Sequence, residues 1–365
     1  MMDTGQALLS KVSGHCFPQG VCGGELNMPL QMYKLLVRRV IGDRPKTATC
    51  LCLIFFPIAL PLFILIFIVR IPKILRRRRI KELEGKVVLI TGGSSGLGEA
   101  LARQFYNAGC RVILASRRLD ELNRVRSNIM KNSKLVPFQN VYPPVVLKLD
   151  LADLQNVPSF ADEAWKIYHR IDILVNNAGI SYRGEVMTTN LEIDLKLMIV
   201  NYIGHTALTK CLLSAMVEQG NGHIVVISSV QGKLGIPFRS AYSASKHALE
   251  GFFDTLRAEV ADYNVKVTVV SPGYIRTNLS VNALTGDGRV YGLTDPTTAN
   301  GMSPNYAASE ILESVAAEDE EVVIAGFGAK TAILLRALWP SMYFKIMNSR
   351  ARRGRPNLLN KAKEQ

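Results

Sequence analysis

This sequence has few histidines, and its cysteines do not have the spacing of a metal site or a disulfide framework. The 365 residues include five histidines and six cysteines. No two cysteines form a CxxC pair, and no histidine cluster accompanies them at zinc-finger spacing. The sequence therefore predicts neither a metal site nor a disulfide framework. The cysteines are Cys16, Cys22, Cys50, Cys52, Cys110 and Cys211.

The middle of the chain has almost no net charge, although the whole chain carries +14. Residues 1–84 hold 13 Lys/Arg and 5 Asp/Glu, and residues 346–365 hold 6 and 1. The residues between them hold 25 and 24. A neutral globular part offers no extended surface for phosphates, so nucleic acid is not an expected partner. Basic ends beside apolar segments indicate membrane lipid instead.

Charged side chains are absent between residues 47 and 69. A bilayer core needs ~20 apolar residues, so this segment is predicted to be a retained transmembrane anchor that crosses the membrane once. Pro57 and Pro61 leave a bent or hairpin-like insertion open, and Cys50 and Cys52 are either acylated or plain apolar residues. Positive charge is denser after the segment than before it, which favours a cytosolic catalytic domain.

Seven short apolar runs alternate with longer helical patterns from residue 86 onward. This alternation predicts an α/β fold with a doubly wound parallel sheet of about seven strands, covered by helices on both faces. Ligands of such sheets bind beyond the carboxyl ends of the strands, where the strand order reverses. The predicted strands are residues 86–90, 111–115, 145–149, 171–175, 223–228, 265–271 and 322–325.

A glycine-rich turn, TGGSSGLG, occupies residues 91–98, directly after the first predicted strand and before a helical pattern. Glycine lets the backbone approach a pyrophosphate closely, and a helix N-terminus directs free N–H groups toward it. Gly92, Gly96 and Gly98 are the close-approach positions. Such a turn is also found in ordinary loops, but its place between strand and helix predicts a dinucleotide site.

The second predicted strand ends without a carboxylate, in Ala115, Ser116, Arg117 and Arg118. An Asp or Glu at this point would accept hydrogen bonds from the ribose 2′-hydroxyl of NAD. Guanidinium groups pair instead with a 2′-phosphate, so the sequence predicts NADP(H) as the cofactor. The alternative is that the two arginines only form a solvated helix start.

Tyr242 and Lys246 are four residues apart in a helical pattern and therefore share one face. A free phenol has a pKa of ~10 and is a slow acid–base group at neutral pH. A neighbouring ammonium and a bound cationic nicotinamide both favour the phenolate, which makes proton transfer easier. Such pairs occur by chance in many helices, so this pair indicates chemistry only together with the other motifs.

Six motifs together resemble the short-chain dehydrogenase/reductase family in order and spacing. The resemblance covers about residues 85–330 and implies one Rossmann-like domain that binds cofactor and substrate together. It also implies a homodimer through the helices that carry Asn201 and Tyr242. The motifs are residues 91–98, the NNAG sequence at 176–179, Asn201, Ser228 with Ser229, Tyr242 with Lys246, and Pro272 with Gly273.

The resemblance implies a catalytic set of Asn201, Ser229, Tyr242 and Lys246. Tyr242 would be the general acid, and Lys246 would lower its pKa and hold the ribose. Ser229 would bind the substrate carbonyl, and Asn201 would hold a water that relays protons. The implied cofactor contacts are Thr91, Gly92, Ser94, Ser95, Gly96, Leu97, Gly98, Ser116, Arg117, Arg118, Asp150, Leu151, Asn177, Ala178, Gly179, Tyr242, Lys246, Pro272, Gly273 and Thr277.

Residues 180–184 and 236–241 are similar to the subgroup of members 7 and 7B, which are anchored in endoplasmic reticulum membranes. This implies the same location and a lipophilic substrate, such as a retinoid, a steroid, a long-chain ketone or an acyl- or alkyl-dihydroxyacetone phosphate. Arg183 and Arg239 would flank the substrate, either as an anion site or in a structural ion pair. The alternative function is a non-catalytic NADP(H)-binding scaffold at the membrane.

These patterns divide the chain into five parts. Residues 1–46 are predicted to be a poorly ordered extension, and 70–84 a basic linker after the anchor at 47–69. Residues 85–330 form the NADP-binding domain, in which 279–304 would be a mobile cover over the substrate. Residues 331–365 form an apolar helix with a basic tail, either at the membrane interface or in a core or dimer contact.

Overall fold

The computed structural model describes residues 79–132 and 142–363, and they contain one parallel sheet of seven strands. Its strand order is β3-β2-β1-β4-β5-β6-β7. The predicted α/β architecture is confirmed, and each strand begins and ends within two residues of its predicted position. The strands are β1 (Val87–Thr91), β2 (Arg111–Ser116), β3 (Val145–Lys148), β4 (Ile173–Asn176), β5 (Gly222–Ile227), β6 (Val265–Pro272) and β7 (Glu321–Ile324).

Helices connect the strands and cover the sheet. A π-helical turn, Ile199–Ile203, joins the fourth helix to the fifth. The helices are α1 (Gly96–Asn107), α2 (Leu119–Asn132), α3 (Val157–Tyr168), α4 (Leu191–Met198), α5 (Gly204–Glu218), α6 (Ser240–Glu259), α7 (Pro296–Ala299), α8 (Pro304–Ala317), α9 (Phe327–Leu338) and α10 (Pro340–Lys363).

Two hydrophobic cores lie on opposite faces of the sheet. Along β1, Val88 and Ile90 belong to one core, and Val87 and Leu89 belong to the other. Successive side chains of a strand point to opposite faces, so a strand buried on both faces must be apolar throughout. This explains the continuous apolar runs by which the strands were predicted.

The strand order reverses between β1 and β4. From β1 the chain proceeds outward through β2 and β3, then returns to pair β4 with the other side of β1. The turns that follow β1 and β4 therefore diverge and leave a crevice at the carboxyl edge of the sheet. Both predicted cofactor motifs, at residues 91–98 and 176–179, lie at this crevice.

The predicted membrane anchor at 47–69 lies outside the described residues, as do the extension at 1–46 and most of the linker at 70–84. Within residues 79–132 and 142–363, no helix has the length and apolarity needed to cross a bilayer. The predicted apolar C-terminal segment forms two helices rather than one. Helix α9 ends at Leu338, and Pro340 begins α10.

Candidate functional site

A cavity of about 700 Å³ opens at the carboxyl edge of the sheet. Its volume is in the range of small-molecule and cofactor sites. The predicted cofactor and catalytic residues all line it, except Thr91 and Asn201, which lie behind its wall. Motifs that are far apart in the sequence thus line one cavity.

The glycine-rich turn is packed so closely that side chains are excluded from it. A Cβ atom on Gly98 would lie 2.2 Å from the carbonyl oxygen of Gly92, and one on Gly92 would lie 2.8 Å from Cα of Ala178. Gly92 and Gly96 also have φ angles of +68° and +59°, which favour glycine. The backbone at the start of α1 is therefore bare, as a pyrophosphate site requires.

Thr91 ties the turns after β1 and β4 together. Its Oγ1 donates to the carbonyl of Val175 at 3.2 Å and accepts from the backbone N–H groups of Asn177 and Ala178 at 2.9 and 3.1 Å. Asn177 donates in return from Nδ2 to the carbonyl of Thr91 at 2.9 Å. Thr91 thus supports the cofactor floor from behind and does not face the cavity.

Arg118 is turned back over the glycine-rich turn. Its Nη2 lies 3.1 Å from the hydroxyl of Ser94 and 3.2 Å from that of Ser95. Arg117 and Ser116 line the same end of the cavity, and β2 ends without a carboxylate. This donor-rich corner fits a phosphate group on the adenosine ribose. The cavity residues therefore fit a dinucleotide that carries such a phosphate.

Helix α6 presents the predicted acid–base group, Tyr242, to the other end of the cavity. The phenol is buried and forms a side-chain hydrogen bond with Ser229. Burial raises the pKa of Tyr242, and the bond to Ser229 and the charges of Arg183 and Arg239 only partly offset this rise. The phenol is therefore protonated at neutral pH and available as an acid.

Lys246 lies one helical turn after Tyr242, on the same face of α6. Its Nζ is 5.8 Å from the centre of the Tyr242 ring and donates to the carbonyl of Ile227 at 2.8 Å. Burial lowers the pKa of Lys246 to about 8, although Glu250 opposes the shift. An ammonium with such a pKa exchanges protons readily near neutral pH.

Asn201 lies in the π-helical turn, and all its side-chain atoms are engaged. Its Nδ2 donates to the carbonyl of Ile180 and to Ser245, and its Oδ1 accepts from the N–H of Ile180 at 2.8 Å. A Cβ on Gly179 would lie 3.3 Å from Asn201 Oδ1 and 3.9 Å from Lys246 Nζ. Asn201 therefore fixes the backbone of the cofactor floor beside Lys246, and its role in proton relay stays a prediction.

His205 is a site residue that the sequence analysis missed. Its Nε2 lies 2.7 Å from the carbonyl of Ala178, and its Nδ1 lies 3.1 Å from the side-chain oxygen of Asn176. Burial, followed by the positive charge of Lys246, lowers the pKa of His205 to about 3. The neutral ring thus supports the turn after β4, at Asn176 and Ala178. Its position four residues after Asn201 is the only signal for it in the sequence.

A second missed residue, Asp295, joins Arg183 and Arg239 on the side of the cavity that is predicted to hold the substrate. Its Oδ2 accepts from Arg183 Nε at 2.8 Å and from Arg239 Nη2 at 2.9 Å. Both arginine side chains are at least nine-tenths buried. The two guanidiniums outweigh the effect of burial, which raises the pKa of Asp295, and the net shift is downward. The structural ion pair left open by the sequence analysis is therefore present.

This cluster carries one positive charge in excess. Burial and the repulsion from Arg183 lower the pKa of Arg239 to about 10, although Asp295 opposes both. The Nε of Arg239 is buried without a hydrogen-bond partner among the described residues. Arg183 lines the cavity, and the positive charges of Arg183 and Arg239 both act to lower the pKa of Tyr242. The substrate side is therefore electropositive, with one buried donor left over.

Comparison with known proteins places these features in a family. A family model described as short chain dehydrogenase matches residues 86–287. A dehydrogenase/reductase SDR family protein 7-like of Drosophila melanogaster is 52% identical, over 82% of this chain and 89% of its own. The dehydrogenase/reductase SDR family member 7B of Danio rerio is 48% identical, over 76% and 89%.

Solved structures share the fold. A short-chain dehydrogenase from Streptomyces avermitilis superposes with a TM-score of 0.60 at 30% identity, covering 74% of this chain and 98% of that one. A metagenomic short-chain oxidoreductase in complex with NADP has a TM-score of 0.53 at 27% identity, covering 66% and 97%. The chain is thus similar to dehydrogenases both in sequence and in architecture.

Proposed function

Because the chain belongs to the short-chain dehydrogenase/reductase family, we propose that it is a membrane-bound, NADP(H)-dependent oxidoreductase that reduces the carbonyl of a lipophilic substrate. One observation carries the proposal. Tyr242, hydrogen-bonded to Ser229 and followed by buried Lys246, lines the same cavity as the bare glycine-rich turn and Arg118.

The cofactor end of the cavity favours NADPH over NADH. The backbone of Gly92 and the N-terminus of α1 would hold the pyrophosphate, and Arg118 with Arg117 would hold the 2′-phosphate. NADPH, when bound, supplies the hydride. The NADP pool is usually kept reduced, so carbonyl reduction is the expected physiological direction.

The catalytic end of the cavity supplies the proton. Tyr242 donates its phenolic proton to the carbonyl oxygen, and the hydroxyl of Ser229 donates a hydrogen bond to the same oxygen. The phenolate that remains is stabilised by the charges of Arg183 and Arg239. Lys246, whose pKa is about 8 and whose Nζ lies 5.8 Å from the centre of the Tyr242 ring, can then return a proton.

The excess positive charge of Arg183, Arg239 and Asp295 favours one class of lipophilic carbonyl compound over the others. Retinal and ketosteroids carry no charge, whereas acyl- or alkyl-dihydroxyacetone phosphate carries an anionic headgroup. Arg183 and Arg239 share one carboxylate, and Arg239 keeps a buried N–H without a partner among the described residues. Arg183 lines the cavity, and the excess positive charge beside it favours an anionic headgroup, so we favour the phosphate-bearing ketone as the substrate class.

The membrane location rests on the sequence. The apolar segment at 47–69 would anchor the protein in the endoplasmic reticulum membrane by a single crossing, with the catalytic domain on the cytosolic side. The homodimer proposed from the family resemblance would form through α5 and α6, the helices beside Asn201 and carrying Tyr242.

Single-turnover oxidation of NADPH and of NADH tests this function. The detergent-solubilised full chain is mixed with retinal, a ketosteroid or acyl-dihydroxyacetone phosphate, with Tyr242→Phe as the control. We expect NADPH oxidation by the phosphate-bearing ketone, abolished in the control. In Arg239→Met the KM for that ketone should rise about tenfold, which is 1.4 kcal/mol of binding. Tight NADPH binding without turnover of any lipid would favour the scaffold function instead.

A further inference from the structure

Helix α9 is apolar but buries none of its side chains. Eight of its twelve residues, FGAKTAILLRAL, are Phe, Ala, Ile or Leu. None of the twelve is buried. Phe327 is 86% exposed and Leu338 is 75% exposed. Leaving large apolar side chains in water is unfavourable in proportion to their area, so this helix is built for contact with a further apolar phase or partner.

The turn after α9 and helix α10 also expose large apolar side chains. Trp339, at the turn between the helices, is 62% exposed, and Phe344 is 49% exposed. We name these residues the hairpin face and define it by the large apolar side chains that α9, α10 and the turn expose. They are Phe327, Leu334, Leu338, Trp339, Met342, Phe344 and Ile346.

The hairpin is fixed to the substrate side of the domain. Tyr343 is buried, and its hydroxyl donates to the carbonyl of Gly235 at 2.5 Å. Gly354 packs against Phe238, since a Cβ there would lie 2.8 Å from the ring. Arg350 donates to the hydroxyl of Tyr274, which lines the cavity, at 3.3 Å. The hairpin face is therefore held beside the cavity that holds Tyr242.

The charge of this segment identifies the surface that fits it. Residues 322–363 contain nine Lys/Arg and no Asp or Glu. Lys330, Arg336, Lys345, Arg352 and Arg353 are exposed around the hairpin face. An apolar surface whose own two helices carry cations and no carboxylates is complementary to a bilayer with anionic headgroups. Two copies of it would repel one another, which argues against self-association as its purpose.

We propose that the hairpin face docks on an anionic bilayer and turns the substrate side of the cavity toward the membrane. The exposed apolar side chains enter the boundary between headgroups and acyl chains, and the surrounding cations pair with the headgroups. A second consequence, that a lipid substrate enters the cavity directly from the bilayer, rests on the proposed function.

Tryptophan fluorescence tests the docking on the full chain. The sequence has two tryptophans, Trp165 and Trp339, so Trp165→Phe leaves one reporter within the hairpin face. The protein is reconstituted into vesicles of phosphatidylcholine with brominated acyl chains, with or without phosphatidylserine. The proposed anchor at 47–69 contains no tryptophan, and it would keep the protein in the membrane in every sample. We expect quenching of Trp339 by the brominated lipid, stronger with phosphatidylserine.

Charge reversal provides the matched comparison. In Lys330→Glu with Lys345→Glu, quenching in the anionic vesicles should fall at least about threefold, since the anionic headgroups attract lysine and repel glutamate. Lys131→Glu with Lys166→Glu, on α2 and α3, should leave it unchanged. Equal quenching in all variants, or none in any, would overturn the proposal. A concentration-dependent blue shift without quenching would assign the hairpin face to a second copy of the chain.

The same vesicles separate this proposal from the proposed function. NADPH binding and turnover of a water-soluble carbonyl are measured beside the quenching. If turnover persists while Trp339 remains unquenched, the docking is wrong and the enzyme assignment stands. If Trp339 is quenched and no carbonyl is turned over, the docking stands and the enzyme assignment fails.

Discussion

The glycine-rich turn and the C-terminal hairpin depart from ordinary packing in opposite directions. In the turn, a single added carbon on Gly98 would lie 2.2 Å from a carbonyl oxygen. In the hairpin, helix α9 is mostly apolar and buries no side chain. We interpret both departures as surfaces for another molecule, because a cofactor needs bare backbone and the bilayer contact proposed above needs exposed apolar side chains. The following variants compare the two regions, from the largest expected effect to the smallest.

Removal of the Tyr242 hydroxyl should have the largest effect. General acid–base groups contribute about 10²–10⁴-fold to rates, so kcat of Tyr242→Phe should fall by that factor while NADPH affinity changes little. Stopped-flow oxidation and fluorescence titration of NADPH measure the two quantities. Tyr182→Phe removes an equally buried phenol outside the cavity lining and should keep kcat within about threefold. Similar losses in both variants would contradict a special role for Tyr242.

Loss of the shared carboxylate should strongly destabilise the substrate side. Asp295→Asn leaves two buried guanidiniums without a counter-charge, and breaking such a pair costs about 3–5 kcal/mol of unfolding free energy. Arg239→Met leaves Arg183 paired with Asp295 and should cost about 1 kcal/mol. Thermal unfolding of both solubilised variants measures the difference. A larger loss in Arg239→Met would show that the cluster carries no excess positive charge.

Substitution of glycine by alanine should have a large effect in the glycine-rich turn and little effect in the hairpin. In Gly98→Ala the new methyl group cannot be accommodated, so the variant should lose about 1–3 kcal/mol of stability and at least about tenfold in NADPH affinity. In Gly328→Ala nothing lies within 4 Å of the added carbon, and NADPH affinity should not change. Titration of both variants with NADPH provides the comparison. Equal affinities would mean that the turn can relax.

The pH dependence reports the charge state of Lys246. Its pKa in the folded protein is about 8, below the ordinary value of 10.5, so the folded domain loses this proton before the unfolded chain does. Between these pH values stability should rise with pH, while kcat/KM for NADPH should fall about tenfold per unit as the ammonium is lost. Lys246→Arg, which stays charged, should shift the fall to higher pH. If the pH profile of Lys246→Arg were unchanged, the fall in kcat/KM would be due to another titrating group.

The sequence predicts the cofactor side well because its signals are local. Each strand is an uninterrupted apolar run, and the residues of the turn at 91–98 adjoin the strand and helix that position them. Ser229 and Tyr242 were predicted because six motifs together resemble the family in order and spacing. Strand ends shifted by one or two residues, since backbone pairing rather than side-chain apolarity decides where a strand stops.

The substrate side was less predictable because its contacts are distant in sequence. Asp295 lies 112 residues from Arg183 and 56 from Arg239, and no local pattern links them. His205 and the π-helical turn around Asn201 likewise depend on neighbours from β4 and its following turn. The exposure of α9 could not be predicted from the sequence either, since the same apolar pattern is typical of a buried helix. The contacts of Tyr343, Arg350 and Gly354 with the domain show which way the hairpin faces.

Transfer of a labelled hydride tests the central claim most directly. The full chain in phosphatidylserine-containing vesicles is given NADPH deuterated at the transferable position together with acyl-dihydroxyacetone phosphate, and the lipid alcohol is analysed by mass spectrometry. We expect one deuterium on the carbinol carbon and none with Tyr242→Phe. An alcohol without deuterium, equal label in the variant, or no product despite bound NADPH would contradict the assignment of this cavity to carbonyl reduction.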